Sequence, residues 1–91
     1  MHPDLPEGVR AYKRSPTFTR DTIPEGFKTD HNTKAGVWGV IHVTEGRLRY
    51  IIPARGVDAL LEAGDRAVIK PEEKHRVAAD GAVSFFVDFC R

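Results

Sequence analysis

The strongest constraint on the fold is a succession of short apolar runs, each closed by a glycine, a proline or a charged turn. They occupy residues 37–44, 47–52, 57–61, 67–70, 75–79 and 83–89 and are rich in β-branched and aromatic side chains. Six such runs predict an all-β sandwich or barrel. The stretch VDALLEAG at 57–64 also fits a turn and a half of helix, because Val57, Leu60 and Leu61 share a helical face. It is too short for periodicity to decide, and the flanking glycines and Val57 favour a strand.

Prolines gather early, at Pro3, Pro6, Pro16 and Pro24, where each removes a ladder donor and fixes the backbone. Residues 1–28 therefore read as an arm with short edge strands, and 29–91 as the barrel core of one small domain. Fourteen Lys and Arg against thirteen Asp and Glu are spread along the chain, leaving a formal charge of +1 and no basic stripe. That balance gives no reason to expect nucleic acid or an anionic membrane as partner. The lone Cys90 forms no internal disulfide, and no apolar run reaches the roughly 20 residues a membrane helix needs. MHPDLPEGV lacks the pattern of a signal peptide, so the expected location is the reduced cytoplasm.

Glu45-Gly46 and Asp80-Gly81 both read as two-residue hairpin loops. The first would pair Val43 with Leu48 and gather Val37, Ile41, Val43, Leu48, Tyr50 and Ile52 on one apolar face, leaving His42 among arginines as a solvated residue. The second would pair Val77 with Ser84 and place His75 on one face with Ser84, Phe86 and Asp88. Phe85, Val87 and Phe89 then fall on the opposite face. Either face is a candidate interior, and a bulge at the turn would shift the parity. With Trp38, Val40 and Ile51, these three residues form an outward apolar set that predicts a homodimer interface, the arm from Leu5 to Phe27 being the other available cover.

The order of GVWGVIHVTEGRLRY and EAGDRAVIKPEEKHRV resembles the two halves of a small cupin. More narrowly, AYKRSPTFT at 11–19, DHNTKAGVWG at 30–39, VTEGRLRY at 43–50 and KPEEKHRV at 70–77 resemble the TehB/YeaR-like small cupins, a family that includes the N-terminal domain of some tellurite-resistance TehB proteins. The resemblance implies a double-stranded β-helix, or jelly-roll barrel, often dimeric, with a pocket that in many cupins holds a divalent metal such as zinc, iron or nickel. Only one histidine of the usual H-x-H pair is present, since Thr29 and Thr33 flank His31, and the motif glutamate has no counterpart. Carried over residue by residue, His31 and His75 are the metal ligands implied. Asp88 is the candidate third, because catalytic zinc generally takes three protein ligands.

Beside that stands a simpler reading, in which Asp30, His31 and Asn32 form a hydrogen-bonded turn. The expected pocket is walled by Ile41, Val43 and Tyr50, with Ser84 and Phe86 on the His75 face, and takes a small polar or anionic molecule. A link to tellurite, oxyanion or related stress responses follows from the resemblance alone. No phosphate loop, dinucleotide fingerprint or nucleophile arrangement is present, so no nucleotide cofactor is expected and the residues do not decide whether the chain is an enzyme. No methyltransferase domain is read in these 91 residues. Three classes stay open: a metal-dependent cupin, a metal-free binding module, and an interaction domain.

Overall fold

A computed structural model describes residues 5–91. The chain forms β1 (Ala11–Arg14), β2 (Phe18–Thr19), the single-turn helix α1 (Glu25–Lys28), β3 (Trp38–Ile52), a 3-10 turn (Pro53–Arg55), β4 (Val57–Glu62), β5 (Arg66–Ile69) and β6 (Arg76–Cys90). All six strands belong to one antiparallel sheet in the order β1-β6-β3-β4, with β2 also on β6 and β5 also on β3. The ambiguous stretch after Gly56 is strand β4.

Two strands of 15 residues dominate. Drawn straight, each would run about 50 Å at about 3.3 Å per residue. The molecule measures 35 × 25 × 21 Å, so both must bend. They bend where glycine sits. The register slips between Val43 and Glu45 and again between Gly46 and Leu48, where Gly46 faces Val83 and Leu48 faces Ala79. Gly46 has φ +70°, and a Cβ there would collide with the carbonyl of Ala82. At that corner only a glycine lets the two backbones approach this closely.

The two hairpins expected from Glu45-Gly46 and Asp80-Gly81 are therefore corrected: Glu45-Gly46 lies between the two register slips of β3, and Asp80-Gly81 lies between the paired Ala79 and Val83 of β6, both inside long strands. Positive φ, as at Gly46 and Gly81, is common to hairpin turns and bulges, which is why the dipeptides read as turns. The consequences for side-chain direction differ between the strands. On β3 the extra residue Thr44 reverses the parity, so Ile41 and Val43 before it and Leu48, Tyr50 and Ile52 after it all reach the core. That is the apolar face read from the sequence, reached by another route. On β6, residues 80–82 lie between the paired Ala79 and Val83, an even step that preserves parity. His75, Val77, Val83, Phe85 and Val87 are consequently all buried, and Ser84 and Phe86 fall on the other face.

The outward apolar set is corrected with them. Val40 and Phe85 have no exposed surface and Val87 is buried, Phe89 packs against the core, and Trp38 and Ile51 are half-buried. Phe85 and Val87 belong to the interior of this chain, and Val40 shares a cleft with Leu5 to Ala11 of the arm. No helix among the described residues is long and apolar enough to cross a membrane.

Candidate functional site

Two loops, one leading into β3 and one joining β5 to β6, are sewn together by their backbones. His31 and His75 exchange both hydrogen bonds of an antiparallel bridge, His31 N–H to His75 C=O at 3.0 Å and His75 N–H to His31 C=O at 2.9 Å. Glu72 N–H adds a bond to Thr33 C=O at 3.1 Å. Side chains opposed across such a bridge lie on the same side, and the two imidazole centroids are 4.2 Å apart. The histidine between an aspartate and a turn-forming run thus answers to a partner 44 positions along the chain.

The pair is held by aromatic neighbours and by its own carbonyls. Phe27 of α1 stacks on His31 with centroids 5.2 Å apart, and Tyr50 stands edge-on to His75 at 5.8 Å. His31 Nδ1 lies 3.0 Å from Thr29 C=O, and His75 Nδ1 lies 2.9 Å from Glu73 C=O. A carbonyl oxygen only accepts, so in each neutral ring Nδ1 carries the proton and Nε2 presents a lone pair. Burial pushes the His75 pKa below its ordinary value, against the raising effect of the Glu73 carbonyl. The same burial, with the charge of Glu73, pushes the Tyr50 hydroxyl up to about 12.

Both imidazoles open on a cavity of about 380 Å³. Its walls are Phe27, Val37, Ile41, Ile69, Val77, Phe85, Val87 and Phe89; Asn32, Thr33, Lys13, Lys34 and Tyr12 complete the lining. Of the pocket residues expected, Ile41 lines it. Val43 and Tyr50 lie in the core beside it, and Ser84 and Phe86 are corrected to the opposite face. Phe27, Ile69, Val77 and the two lysines were not legible as site residues. Phe27 and Lys13 come from the arm, Ile69 from β5, Lys34 from the loop before β3 and Val77 from β6, and nothing in their local pattern signals that they converge.

Asp88 is likewise on the other face, corrected by the preserved parity of β6. Arg14 grips its carboxylate with two bonds, Nε to Oδ1 at 2.7 Å and Nη2 to Oδ2 at 3.1 Å, and His42 Nε2 stands 3.1 Å from Oδ2. Phe86 completes the group, with the His42 ring stacked at 4.6 Å and the Arg14 guanidinium 4.3 Å from its centroid. The Arg14 hydrogen bonds hold the Asp88 carboxyl below its ordinary range, while burial and Asp88 push the Cys90 thiol up. His42, expected in solvent, has only 17% of its side chain exposed.

The divalent metal implied by the resemblance can be tested against these donors. Among the described residues no group of three or more His, Cys, Asp and Glu side chains comes together to hold an ion. Two imidazoles fall short of the three protein ligands of an open catalytic site, and Asp88, committed to Arg14, does not supply the third. The donors among the described residues do not fit a resident metal.

Comparison with known proteins agrees with this architecture. A family model described as a TehB-like domain matches residues 13–87. The probable S-adenosyl-L-methionine-dependent methyltransferase TehB of Haemophilus influenzae strain Rd is 33% identical over 73 residues, covering 75% of this chain and 26% of the relative. The chain thus spans about a quarter of the length of the curated relatives it matches. The crystal structure of TehB from Haemophilus influenzae is similar with a TM-score of 0.79 at 28% identity, over 90% of this chain and 31% of that one. A protein from Escherichia coli K12 is similar with a TM-score of 0.86 at 27% identity, over 97% and 95% of the two chains. At 19% identity and a TM-score of 0.65, a cupin-2 domain containing protein from Shewanella frigidimarina, covered to 84% by 97% of this chain, supports the small cupin fold alone.

Proposed function

The chain belongs to the TehB-like domain family, and from that premise we propose that it is a small-molecule-binding cupin module whose ligand seat is the cavity at His31 and His75, working without a resident metal. The observation that supports this reading is the orientation of the pair. Each Nδ1 is committed to a backbone carbonyl, and among the described residues neither Nε2 has a hydrogen-bond partner. His75 is buried as a residue, at 2% exposure, and its ring lines the cavity. An acceptor that faces the cavity is open to a ligand, and in an apolar surround a hydrogen bond donated to it is stronger than in bulk water. The cavity volume of about 380 Å³ lies at the small end of the range for ligand pockets and its walls are mostly apolar.

The test is a fragment screen by thermal shift on wild type and on His75→Phe, which keeps the ring volume and removes the acceptor. Ligands that bind only the folded state raise its melting temperature. Fragments that stabilise wild type, and stabilise His75→Phe less, support the seat. No stabilising fragment at millimolar concentration, or equal stabilisation of both proteins, overturns it.

A further inference from the structure

Resting on that reading of the site, we infer that the ligand is a small hydroxy acid: a hydroxyl donor for the imidazole pair, an apolar or aromatic middle, and a carboxylate at the rim. The lining is asymmetric in charge. It contains two lysines and two histidines and no Asp or Glu, although the chain as a whole carries thirteen acidic residues. Neighbouring basic groups are already committed: Arg76 binds Asp30 at 2.9 Å and Arg55 binds Glu73 at 2.8 Å. Among the described residues Lys13 and Lys34 are in no ion pair, and both are exposed.

Depth separates the two polar ends. His75 is buried and the lysines are exposed, with Ile41, Val77 and Phe85 among the walls of the same cavity. A carboxylate placed at the imidazoles would meet two acceptor lone pairs, whereas a hydroxyl there donates to them. The anionic end therefore belongs with the lysines, which attract it as point charges. At about 30 Å³ for each water-sized unit, the cavity of 380 Å³ holds about a dozen non-hydrogen atoms. An acid with one six-membered ring is of that size.

The experiment titrates the whole chain, by calorimetry or NMR line shifts, with 4-hydroxyphenylacetate, its methyl ether 4-methoxyphenylacetate, and its amide 4-hydroxyphenylacetamide. The hydroxy acid should bind most tightly, with loss of the donor costing about tenfold, as for a buried hydrogen bond. Loss of the charge should cost a few-fold to about tenfold, because the lysines are exposed. Lys13→Gln with Lys34→Gln should weaken the acid to the level of the amide and leave the amide unchanged. Equal binding of acid and amide overturns the basic rim, and equal binding of phenol and methyl ether overturns the donor end; in both cases the cavity survives as a ligand seat. If none of the three binds while other fragments stabilise the protein, this ligand class is wrong and the seat stands. If nothing binds in either experiment, both fall.

Discussion

Gly46→Ala and Gly81→Ala together discriminate bent strands from hairpins. Both glycines have positive φ, +70° and +79°, so alanine at either one meets the left-handed backbone penalty of about 1–2 kcal/mol. Reduced freedom of the unfolded chain returns about 0.4–1 kcal/mol of that. Gly81 has no atom within 4 Å of a built Cβ, so its net loss should be about 1 kcal/mol, or about 4–8 °C in melting temperature for a domain of this size. At Gly46 the new methyl collides with the Ala82 carbonyl, which is backbone and can move only by displacing β6. Overpacking of that kind adds about 1–3 kcal/mol. The expected total of about 2–4 kcal/mol is a large part of the stability of a small domain. Urea denaturation with a constant m-value reads both losses. In two simple hairpins the turn glycines would be equivalent; losses equal within about 0.5 kcal/mol would refute the close crossing.

The inward direction of Phe85 predicts that Phe85→Ala costs about 3–5 kcal/mol, because the ring has no exposed surface, whereas Phe86→Ala costs clearly less; the reverse order in chemical denaturation would contradict the parity of β6. Stability should depend on pH in two separate windows. Because burial lowers the His75 pKa in the folded state, its contribution is complete above the ordinary value of 6.5 and is lost as pH falls from there through the folded-state value; His75→Gln should flatten this slope in pH-dependent unfolding. Asp88, lowered by Arg14, contributes until pH falls below its ordinary 3.8 and loses its effect through the still lower folded value, so Asp88→Asn should flatten only the acidic limb. Chelator treatment should leave the melting temperature unchanged, since two imidazoles do not make a structural metal site; a fall of several degrees, reversed by added zinc, would restore the metal.

Much of the fold was legible because burial and β-propensity coincide in residues such as Ile41, Val43, Leu48 and Ile52, so the runs declared themselves as strands facing a core. His31 and His75 were legible as a pair through motif resemblance, and the structure brings them side by side. Side-chain direction beyond Asp80-Gly81 was not legible. A glycine with positive φ serves a hairpin and a bulge equally well, yet one loop reverses parity and the other preserves it. That single ambiguity carried Ser84, Phe86 and Asp88 to the wrong face and turned Phe85 and Val87 outward. The ion pair of Asp88 with Arg14, 74 positions away, depends on β1 lying along β6, a pairing for which no local signal exists.

The Nε2 atoms of His31 and His75 form the polar end of the proposed ligand seat. Long-range proton–nitrogen correlation of the histidine side chains at neutral pH observes those atoms directly. Both rings should show Nδ1 protonated and Nε2 bare, with both Nε2 resonances moving on saturation with the best stabilising fragment while His42, on the opposite face, stays in place. Protonated Nε2 atoms with bare Nδ1 atoms, or fragment-induced shifts at His42 and not at the pair, would contradict it.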